Sequence, residues 1–399
     1  MNARHIVVIP SWYSSGRGSG GGYFRDQALA LRSAGHRIAI LVPEIFTSRD
    51  QRAGRAPEAA PGEVRIEHDG IDVYRCARRV RMPRLPYRNP VAWSLSGLSL
   101  FAAYVARNGR PDLIHAHSSL NAGVLAASIR ARYGVHFILT EHSTSFAEGR
   151  LRWWERDLVR RVARHADACI AVSPHLASLL QAQFPGTSWH YVPNVLGAPF
   201  LTPLAPRSGP ASVQPFVFLC AARFARSKNQ ELLIDAFADA FAADPRVKLQ
   251  LAGAGPMQGE LVQLCARRGL AGQVEFLGLL SPDRLRAAMG AADAFVLVSD
   301  VETFGVVVIE AQAAGLPVVC TASGGPDHLI DTSNGLLIPI RDRASLGAAL
   351  REMRDQIARY DRARISRHAI ERFGPEAFVR RFSQIVDSTG STATTLLSG

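Results

Sequence analysis

Short, continuous apolar runs alternate along the chain with stretches of helical periodicity. Residues 5–10, 216–222 and 293–299 are runs of the first kind, typical of buried strands in a parallel sheet. Residues 23–34 space their apolar positions as a helix does. Strands that alternate with helices in this way predict an α/β fold with crossover helices.

The alternation is interrupted once, which predicts two domains. Residues 201–215 are rich in Pro, Ser and Gly and are typical of a linker. We therefore expect a first domain over 1–200 and a second over 216–374. Residues 375–387 form an amphipathic helical pattern with no strand after it, and residues 388–399 are expected to be disordered.

The charge is unevenly distributed. The 399 residues carry a formal net charge of +12, and the excess lies in the first half, most densely in 75–88 and 150–164. The latter stretch combines Trp153 and Trp154 with six arginines, which suits an anionic membrane surface. The alternative is a solvated Arg-rich face. No nucleic-acid recognition motif accompanies the charge, so no nucleic-acid partner is expected.

The lengths of the apolar runs and the spacing of the cysteines predict the cellular compartment. No run is long enough to span a bilayer, and the N-terminal apolar stretch has the pattern of a first strand without a signal-peptide cleavage site. The five cysteines have no paired or metal-ligand spacing, and Cys169, Cys220 and Cys320 lie in apolar runs. These features predict a cytoplasmic protein, with peripheral contact to the inner face of the membrane.

Residues 302–310 (ETFGVVVIE) carry the most specific chemistry. Glu302 follows the strand 293–299 on a loop, Phe304 and Gly305 stand at a helix start, and Glu310 lies inside the helix. Ligands bind beyond the carboxyl ends of strands in such sheets, and N–H groups at a helix start can bind phosphate. The two carboxylates, roughly 9–12 Å apart, would suit two sugars joined through a diphosphate. Two solvated acids flanking an ordinary helix are the alternative.

This segment resembles the E-x7-E motif of the family 4 glycosyltransferases, and the resemblance extends over nearly the whole chain. It implies the GT-B fold, in which two Rossmann-like doubly wound domains face each other across a cleft and a C-terminal helix crosses back to the first domain. It also implies hexosyl transfer from a nucleotide-diphosphate sugar with retention at the anomeric carbon and without a metal. Glu310 would then bind ribose hydroxyls and Glu302 sugar hydroxyls.

Two cations after the strand 216–222 fit a phosphate clamp. Arg223 ends that strand, and Lys228 follows five residues later at a helix start. Lys228 and Lys248 are the only lysines beside 44 arginines, so a compact charge here suggests geometry that Arg would not fit. The resemblance assigns this Arg and Lys to the donor diphosphate.

The first domain has two candidate features at strand ends. His142 follows a strand in 139–146 (LTEHSTSF) and matches the family's histidine that contacts the donor sugar. His115 and His117 also follow a strand and are interpreted as scaffolding or acceptor-side groups. The Gly-rich loop 15–24 permits close backbone approach to a phosphate or sugar, and Gly22 matches the family's loop glycine.

Two further segments match the donor side of the family. Gly253 begins a tight turn (GAGP) after a strand, and Leu277 lies in 275–279 (EFLGL), whose backbone would meet the nucleotide base. Pro193 and Asn194 match a structural turn before the linker.

No Asp-x-Asp pair occurs in the chain, so neither a metal nor another cofactor is expected. The predicted reaction is hexosyl transfer from a UDP- or GDP-sugar to a saccharide or lipid-linked saccharide, in surface polysaccharide or glycolipid synthesis. A nucleotide-sugar epimerase of the same architecture and a non-catalytic sugar-nucleotide binder are the alternatives.

Overall fold

The computed structural model describes residues 3–13, 22–52, 62–68, 70–80, 86–204 and 215–395. The chain divides into two compact units, Met1–Asn194 together with Pro375–Gly399, and Val195–Gly374. The division falls at Val195, earlier than the expected linker, of which residues 205–214 lie outside the described part of the chain. The Gly-rich loop residues 14–21 and the basic residues 81–85 lie outside it as well.

The first unit is built on an eight-stranded sheet in the order β3-β4-β2-β1-β5-β6-β7-β8. Among the described strands of this sheet, only the β3–β4 pair is antiparallel. The strands are β1 (His5–Pro10), β2 (Arg37–Phe46), β3 (Val64–His68), β4 (Asp72–Arg79), β5 (Leu113–His117), β6 (His136–Glu141), β7 (Ala168–Ala171) and β8 (Trp189–Tyr191).

Crossover helices connect these strands, as the alternation predicts. They are α1 (Gly22–Ser33), α2 (Ser48–Arg52), α3 (Arg88–Asn108), α4 (Val124–Tyr133), α5 (Trp153–His165) and α6 (Pro174–Gln183). A π-helical turn, Ser119–Gly123, joins β5 to α4. Local sequence explains some of the boundaries: α6 begins at Pro174 because the Ser173 side chain accepts from the N–H of Leu176.

The second unit contains a six-stranded, fully parallel sheet in the order β11-β10-β9-β12-β13-β14. Its strands are β9 (Phe216–Ala221), β10 (Val247–Ala252), β11 (Val274–Gly278), β12 (Ala294–Leu297), β13 (Val318–Thr321) and β14 (Gly335–Ile338). Its helices are α7 (Gln230–Phe241), α8 (Gln258–Arg267), α9 (Pro282–Ala291), α10 (Val306–Ala313), α11 (Arg343–Asp355) and α12 (Arg362–Phe373).

The strand order reverses direction once in each sheet. The reversal lies between β1 and β5 in the first unit and between β9 and β12 in the second. A crevice forms beyond the carboxyl ends of the strands at such a switch point, and ligands of open α/β sheets bind there. The topology therefore marks one candidate position in each unit.

The last helix, α13 (Pro375–Thr395), belongs to the first unit, as the resemblance implies. Phe382 of α13 packs on the His115 ring with 4.8 Å between ring centroids. The helix is described as far as Thr395, beyond the expected end at 387. Residues 396–399 lie outside the described part of the chain.

Candidate functional site

The switch point of the second unit is bridged by an ion pair. Lys228 follows β9 in a 3-10 turn, Arg226–Lys228, and Glu302 follows β12. The Lys228 Nζ donates to Glu302 Oε1 at 2.5 Å, with side chains 25% and 15% exposed. Two residues that are 74 positions apart in sequence thus meet at the position that the topology marks.

Glu302 is held by more than its lysine. The buried Ser299 hydroxyl donates to the same Oε1 at 2.8 Å, and Thr321 Oγ1 donates to the Ser299 carbonyl at 2.7 Å. The Glu302 backbone joins Gly324 in an isolated parallel bridge. The carboxylate therefore has a fixed position before any ligand arrives.

Asp300 connects three loops around this pair. Its carboxylate accepts from Arg341 Nε at 3.0 Å and Nη2 at 2.7 Å, and also from Asn229 Nδ2. Its backbone N–H donates to the Ser227 carbonyl at 2.9 Å. Asn229 and Arg341 both have positive φ, 50° and 57°, which is uncommon outside glycine, although Asn adopts it more readily than Arg. The hydrogen bonds with Arg341 hold the pKa of Asp300 below its usual range.

The start of α10 lies beside Glu302. Gly305 has φ of 90°, so this position requires glycine or a strained residue. Gly325 packs so tightly on the Thr303–Phe304 peptide that an added Cβ would lie 2.3 Å from the Phe304 nitrogen. The Phe304 ring is buried and packs edge-on against Phe373, so Phe304 offers its backbone here and not its ring.

The remaining predicted donor-side residues lie on other elements of the same unit. Arg223 is exposed two residues after the end of β9, and its guanidinium has no ion-pair partner among the described residues. Gly253 allows close approach between loops, because a Cβ there would lie 2.1 Å from the Ala222 carbonyl oxygen. Glu310 is half-buried on α10, and Leu277 is half-buried on the edge strand β11.

In the first unit, His142 lies in a cluster of buried imidazoles. His117 ends β5, His142 follows β6, and His117 Nδ1 lies 3.0 Å from His142 Nε2. His115 Nε2 lies 2.8 Å from Thr140 Oγ1, and the His115 and His117 ring centroids are 4.0 Å apart. Phe24 packs against His117 and His142, which completes the enclosure.

Burial determines the charge state of this histidine cluster (His115, His117 and His142). It lowers the pKa of His115 and of His142 to about 3, and it lowers the pKa of His117 far below its usual value. All three rings are therefore neutral at physiological pH. In each ring, the nitrogen outside these hydrogen bonds has no partner among the described residues.

Glu141 ties together the two loops that carry the cluster. Its Oε1 accepts from the N–H groups of His142 at 2.8 Å and Ser143 at 3.0 Å. Its Oε2 accepts from the N–H of Ser119 at 2.9 Å and from the Ser119 hydroxyl at 2.6 Å. This carboxylate is buried, and its four hydrogen bonds fix the backbone after β5 and β6.

Gly22, the predicted loop glycine, is the first residue of α1 and is exposed. A Cβ there would meet nothing within 4 Å, so packing does not require glycine at this position. The next residue, Tyr23, lies with its ring centroid 5.1 Å from that of His142.

The expectations for the two basic segments, 75–88 and 150–164, are corrected at one residue each. Trp153 is 70% exposed, but Trp154 is buried, so only the first presents its ring to solvent. Arg75 is fully buried and pairs with Glu44 and Glu67, so it contributes to the core and not to a surface. Tyr87, at the start of α3, packs on both tryptophans.

Val91 and Leu95 extend the exposed apolar surface along α3 from that contact. They are 46% and 49% exposed and lie one helical turn apart. Arg150 and Arg152, also exposed, precede Trp153. The structure thus adds two aliphatic residues to the tryptophan and arginines that the sequence indicates.

The structure brings Lys228 and Glu302 together, as strand ends predict, but several of their partners were missed. No sequence motif marks these residues, which are Ser299, Asp300, Asn229 and Arg341. Only Ser299 and Asp300 could have been noticed as site candidates, because they are polar residues at the end of a buried strand. Glu141 could have been noticed as an acid that ends an apolar run.

Two features are absent from the described part of the chain. No group of three or more His, Cys, Asp or Glu residues there is placed to hold a metal ion. No helix in the same part of the chain is both long and apolar enough to cross a bilayer.

Comparison with known proteins identifies the two units. Residues 18–195 match the model of the glycosyl transferase 4-like domain, and residues 204–372 match that of the glycosyl transferases group 1. A glycogen synthase of Mycobacterium tuberculosis is 29% identical over 374 residues, which span 88% of this chain and 86% of the relative.

Solved structures share the fold. Sucrose-phosphate synthase from Thermosynechococcus elongatus has a TM-score of 0.75 at 21% identity, covering 98% of this chain and all of that one. Anabaena HepE in complex with UDP has a TM-score of 0.72 at 21% identity, covering 96% of this chain and all of that one.

Proposed function

Since the chain belongs to the family 4 glycosyltransferases with a GT-B fold, we propose that it moves a hexosyl unit from a UDP- or GDP-sugar to a saccharide or lipid-linked saccharide. The anomeric configuration is retained and no metal or other cofactor takes part. The product belongs to surface polysaccharide or glycolipid synthesis.

One observation carries this proposal, namely the Lys228–Glu302 pair at the switch point. Lys228 is the natural partner of the donor diphosphate, because an ammonium ion on a flexible stem can turn from one anion to another. Glu302 is then left to accept from the sugar hydroxyls while Ser299 still holds it. The UDP bound to HepE supports a nucleotide as ligand of this fold.

The other assigned residues complete the proposed site. Arg223 and the backbone at Phe304 and Gly305 meet the charge that develops on the leaving diphosphate. Glu310 accepts from the ribose hydroxyls, and His142 contacts the sugar. Gly22, Gly253 and Leu277 line the donor by their backbones.

Lys228→Ala tests the clamp directly. We expect a loss of about 1.5–3 kcal/mol in nucleoside-diphosphate binding, because a charge-assisted hydrogen bond is removed, while binding of the bare nucleoside barely changes. Isothermal titration calorimetry with both ligands measures the difference. The matched control is Lys248→Ala, which removes the other lysine, whose Nζ donates to the Gly272 carbonyl on the exposed surface. Equal losses for diphosphate and nucleoside would refute the clamp.

The reaction class is tested by incubating UDP- and GDP-sugars with and without saccharide acceptors in excess EDTA. A transferase releases nucleoside diphosphate only when an acceptor is present, and NMR of the product gives its anomeric configuration. Interconversion of the nucleotide sugar without acceptor would instead support the epimerase. Binding without turnover would support the non-catalytic binder, and activity restored only by Mg²⁺ or Mn²⁺ would overturn metal independence.

For the acceptor side, we propose that the enzyme is cytoplasmic and lies peripherally on an anionic membrane. The contact surface consists of Trp153, Val91 and Leu95 with Arg150 and Arg152. Exposed aromatic and aliphatic side chains beside arginines suit the interface of a bilayer with anionic headgroups.

A triple variant, Arg150→Ala, Arg152→Ala and Trp153→Ser, should release the enzyme from vesicles that contain phosphatidylglycerol, while a water-soluble acceptor is still used. Sedimentation with vesicles of varied lipid charge and salt measures this. The matched control, Arg267→Ala, Arg284→Ala and Val262→Ser, removes equal charge and an exposed apolar side chain from the second unit. Binding that is indifferent to lipid charge would contradict the proposal.

A further inference from the structure

A cavity of about 340 Å³ lies in the second unit, between α12 and the loop that precedes β14. The apolar part of its lining includes the buried side chains of Leu329, Ile365 and Ala369. Neither Lys228 nor Glu302 lines it, so it is separate from the predicted diphosphate site. Its volume falls at the lower end of the range of small-molecule sites, roughly 300–1,000 Å³, and suits a small organic molecule better than a single ion.

The loop side of the cavity is held in place by its own hydrogen bonds. The Leu329 carbonyl accepts from Gln312 Nε2 at 2.9 Å and from Asn334 Nδ2 at 3.0 Å. Asp331 Oδ1 accepts from the N–H of Ser333 at 2.8 Å and from its hydroxyl at 2.6 Å. Asp331 Oδ2 has no hydrogen-bond partner among the described residues. The loop is therefore ordered before any ligand arrives, and it offers one carboxylate oxygen as an acceptor.

The helix side of the cavity is basic. The charged and titratable residues of α12 that line it are Arg364, Arg367, His368, Glu371 and Arg372. Residues three positions apart are neighbours on a helix surface, so the like charges of Arg364 and Arg367 destabilise α12. Neither guanidinium has a partner within the described part of the chain, and Glu371, one turn from Arg367, forms no ion pair with it. An anion bound by both guanidinium groups would remove this repulsion and supply the hydrogen-bond acceptors that they lack.

We propose that this cavity binds a small sugar phosphate, with the phosphate on Arg364 and Arg367 and a sugar hydroxyl donating to Asp331 Oδ2. A phosphate monoester carries up to two negative charges at neutral pH, which two guanidinium groups balance through paired N–H donors. A bare phosphate ion would leave the carboxylates of Asp331 and Glu371 beside another anion. Hydroxyl groups on the ligand instead turn both carboxylates into hydrogen-bond acceptors.

Isothermal titration calorimetry on the whole chain tests the ligand class, with glucose 6-phosphate, glucose 1-phosphate and mannose 6-phosphate as probes. At least one of the three should bind about tenfold more tightly than inorganic phosphate or free glucose, because only a sugar phosphate contacts both sides of the cavity. Equal affinity for inorganic phosphate, or no binding of any of the three, would overturn the proposal. The measurement requires neither donor nor acceptor, so its outcome is independent of the proposed function.

A double variant, Arg364→Gln with Arg367→Gln, then tests the phosphate contacts. It should weaken the best-binding hexose phosphate by about tenfold or more, since two charge-assisted contacts are lost. The matched control, Arg267→Gln with Arg284→Gln, removes the same charge from exposed positions on α8 and α9 and should leave the affinity unchanged. Equal losses in the two double variants would show that only the overall charge of the protein attracts the ligand, and would overturn the site.

Two single variants complete the test. Lys228→Ala alters the predicted diphosphate site and should leave the affinity for the hexose phosphate unchanged; a loss there, with none in Arg364→Gln and Arg367→Gln, would place the ligand elsewhere and refute the cavity. Asp331→Asn should weaken the hexose phosphate several-fold without weakening inorganic phosphate, because the hydroxyl acceptor loses its charge. A parallel fall for both ligands would contradict the hydroxyl contact.

Discussion

The two units have groups of opposite electrostatic character at the carboxyl ends of neighbouring parallel strands. In the second unit, the strands next to the switch point lead to a charged pair, Lys228 and Glu302, that is partly open to solvent. In the first unit, β5 and β6 lead to the histidine cluster, which is enclosed and neutral. The shared fold thus supplies the position, and burial decides whether the side chains there carry charge. The first setting favours an anion, and the second favours hydrogen bonding to neutral groups.

The largest expected effect follows from the enclosed half of this comparison. The pKa values of the three histidines are lowered on folding, so between about pH 3 and 6.5 the unfolded chain binds more protons than the folded one. The contribution of the neutral rings to the free energy of unfolding is therefore fully present above pH 6.5 and is lost as the pH falls below that value. Lowering the pH from 7.5 to 5.5 should reduce the free energy of unfolding by about 1.4 kcal/mol for each ring, or by about 4 kcal/mol for the cluster.

Urea denaturation at both pH values measures this loss. His115→Phe should reduce the pH-dependent loss by about one histidine's share, about 1.4 kcal/mol, because it removes one titrating ring. His175→Gln, at an exposed position on α6, should leave the loss unchanged. A similar pH dependence in all three proteins would show that the cluster does not remain neutral.

The proposed site in the second unit is tested by comparing variants of its two carboxylates, Glu302 and Glu310. Glu302→Gln should lower kcat by about 10- to 100-fold with little change in nucleotide affinity, since its proposed contact is to the sugar. Glu310→Ala should do the reverse, because ribose hydroxyls lose their acceptor. Steady-state kinetics and nucleotide titration on both variants give the split. Near-normal kinetics in both variants would show that these two carboxylates do not form the proposed site.

A smaller effect is expected from the loops that support the pair. Asp300→Asn should lower the unfolding free energy by about 1 kcal/mol, because Asp300 loses its charge beside Arg341. It should also weaken nucleoside-diphosphate binding a few-fold, since Asn229 adjoins Lys228.

The control for that change is Asp239→Asn. Asp239 also binds an arginine, Arg343, through both carboxylate oxygens, but it does so on the surface between α7 and α11. We expect a similar loss of stability there without loss of nucleotide binding. If both variants bind the diphosphate equally well, Asp300 has no positioning role.

The sequence predicted the parts of the fold that depend on local pattern. The alternation of apolar runs and helical periodicity is confirmed as two sheets with crossover helices, and the return of α13 to the first unit is as the resemblance implies. Glu302 and Lys228 could be placed because parallel strands bring their carboxyl ends to one edge.

The contacts that were missed depend on packing between distant segments. The bond between His117 and His142 requires the β5–β6 register, and the burial of Trp154 and Arg75 requires knowledge of the neighbouring elements. The positive φ of Arg341 is not predicted by its residue type, and it accompanies hydrogen bonds to Asp300, 41 positions away in the chain.

The Lys228–Glu302 pair has a consequence for turnover if Lys228 binds the donor diphosphate. Lys228 is paired with an anion both before and after the donor binds. The free energy of donor binding therefore includes only the difference between its interaction with the diphosphate and its interaction with Glu302, and the affinity remains moderate. When the nucleoside diphosphate departs, Glu302 is already 2.5 Å from the position to which Lys228 returns. The Glu302 carboxylate would thus compete with the nucleoside diphosphate for the Lys228 ammonium group. This competition would speed the release of the nucleoside diphosphate.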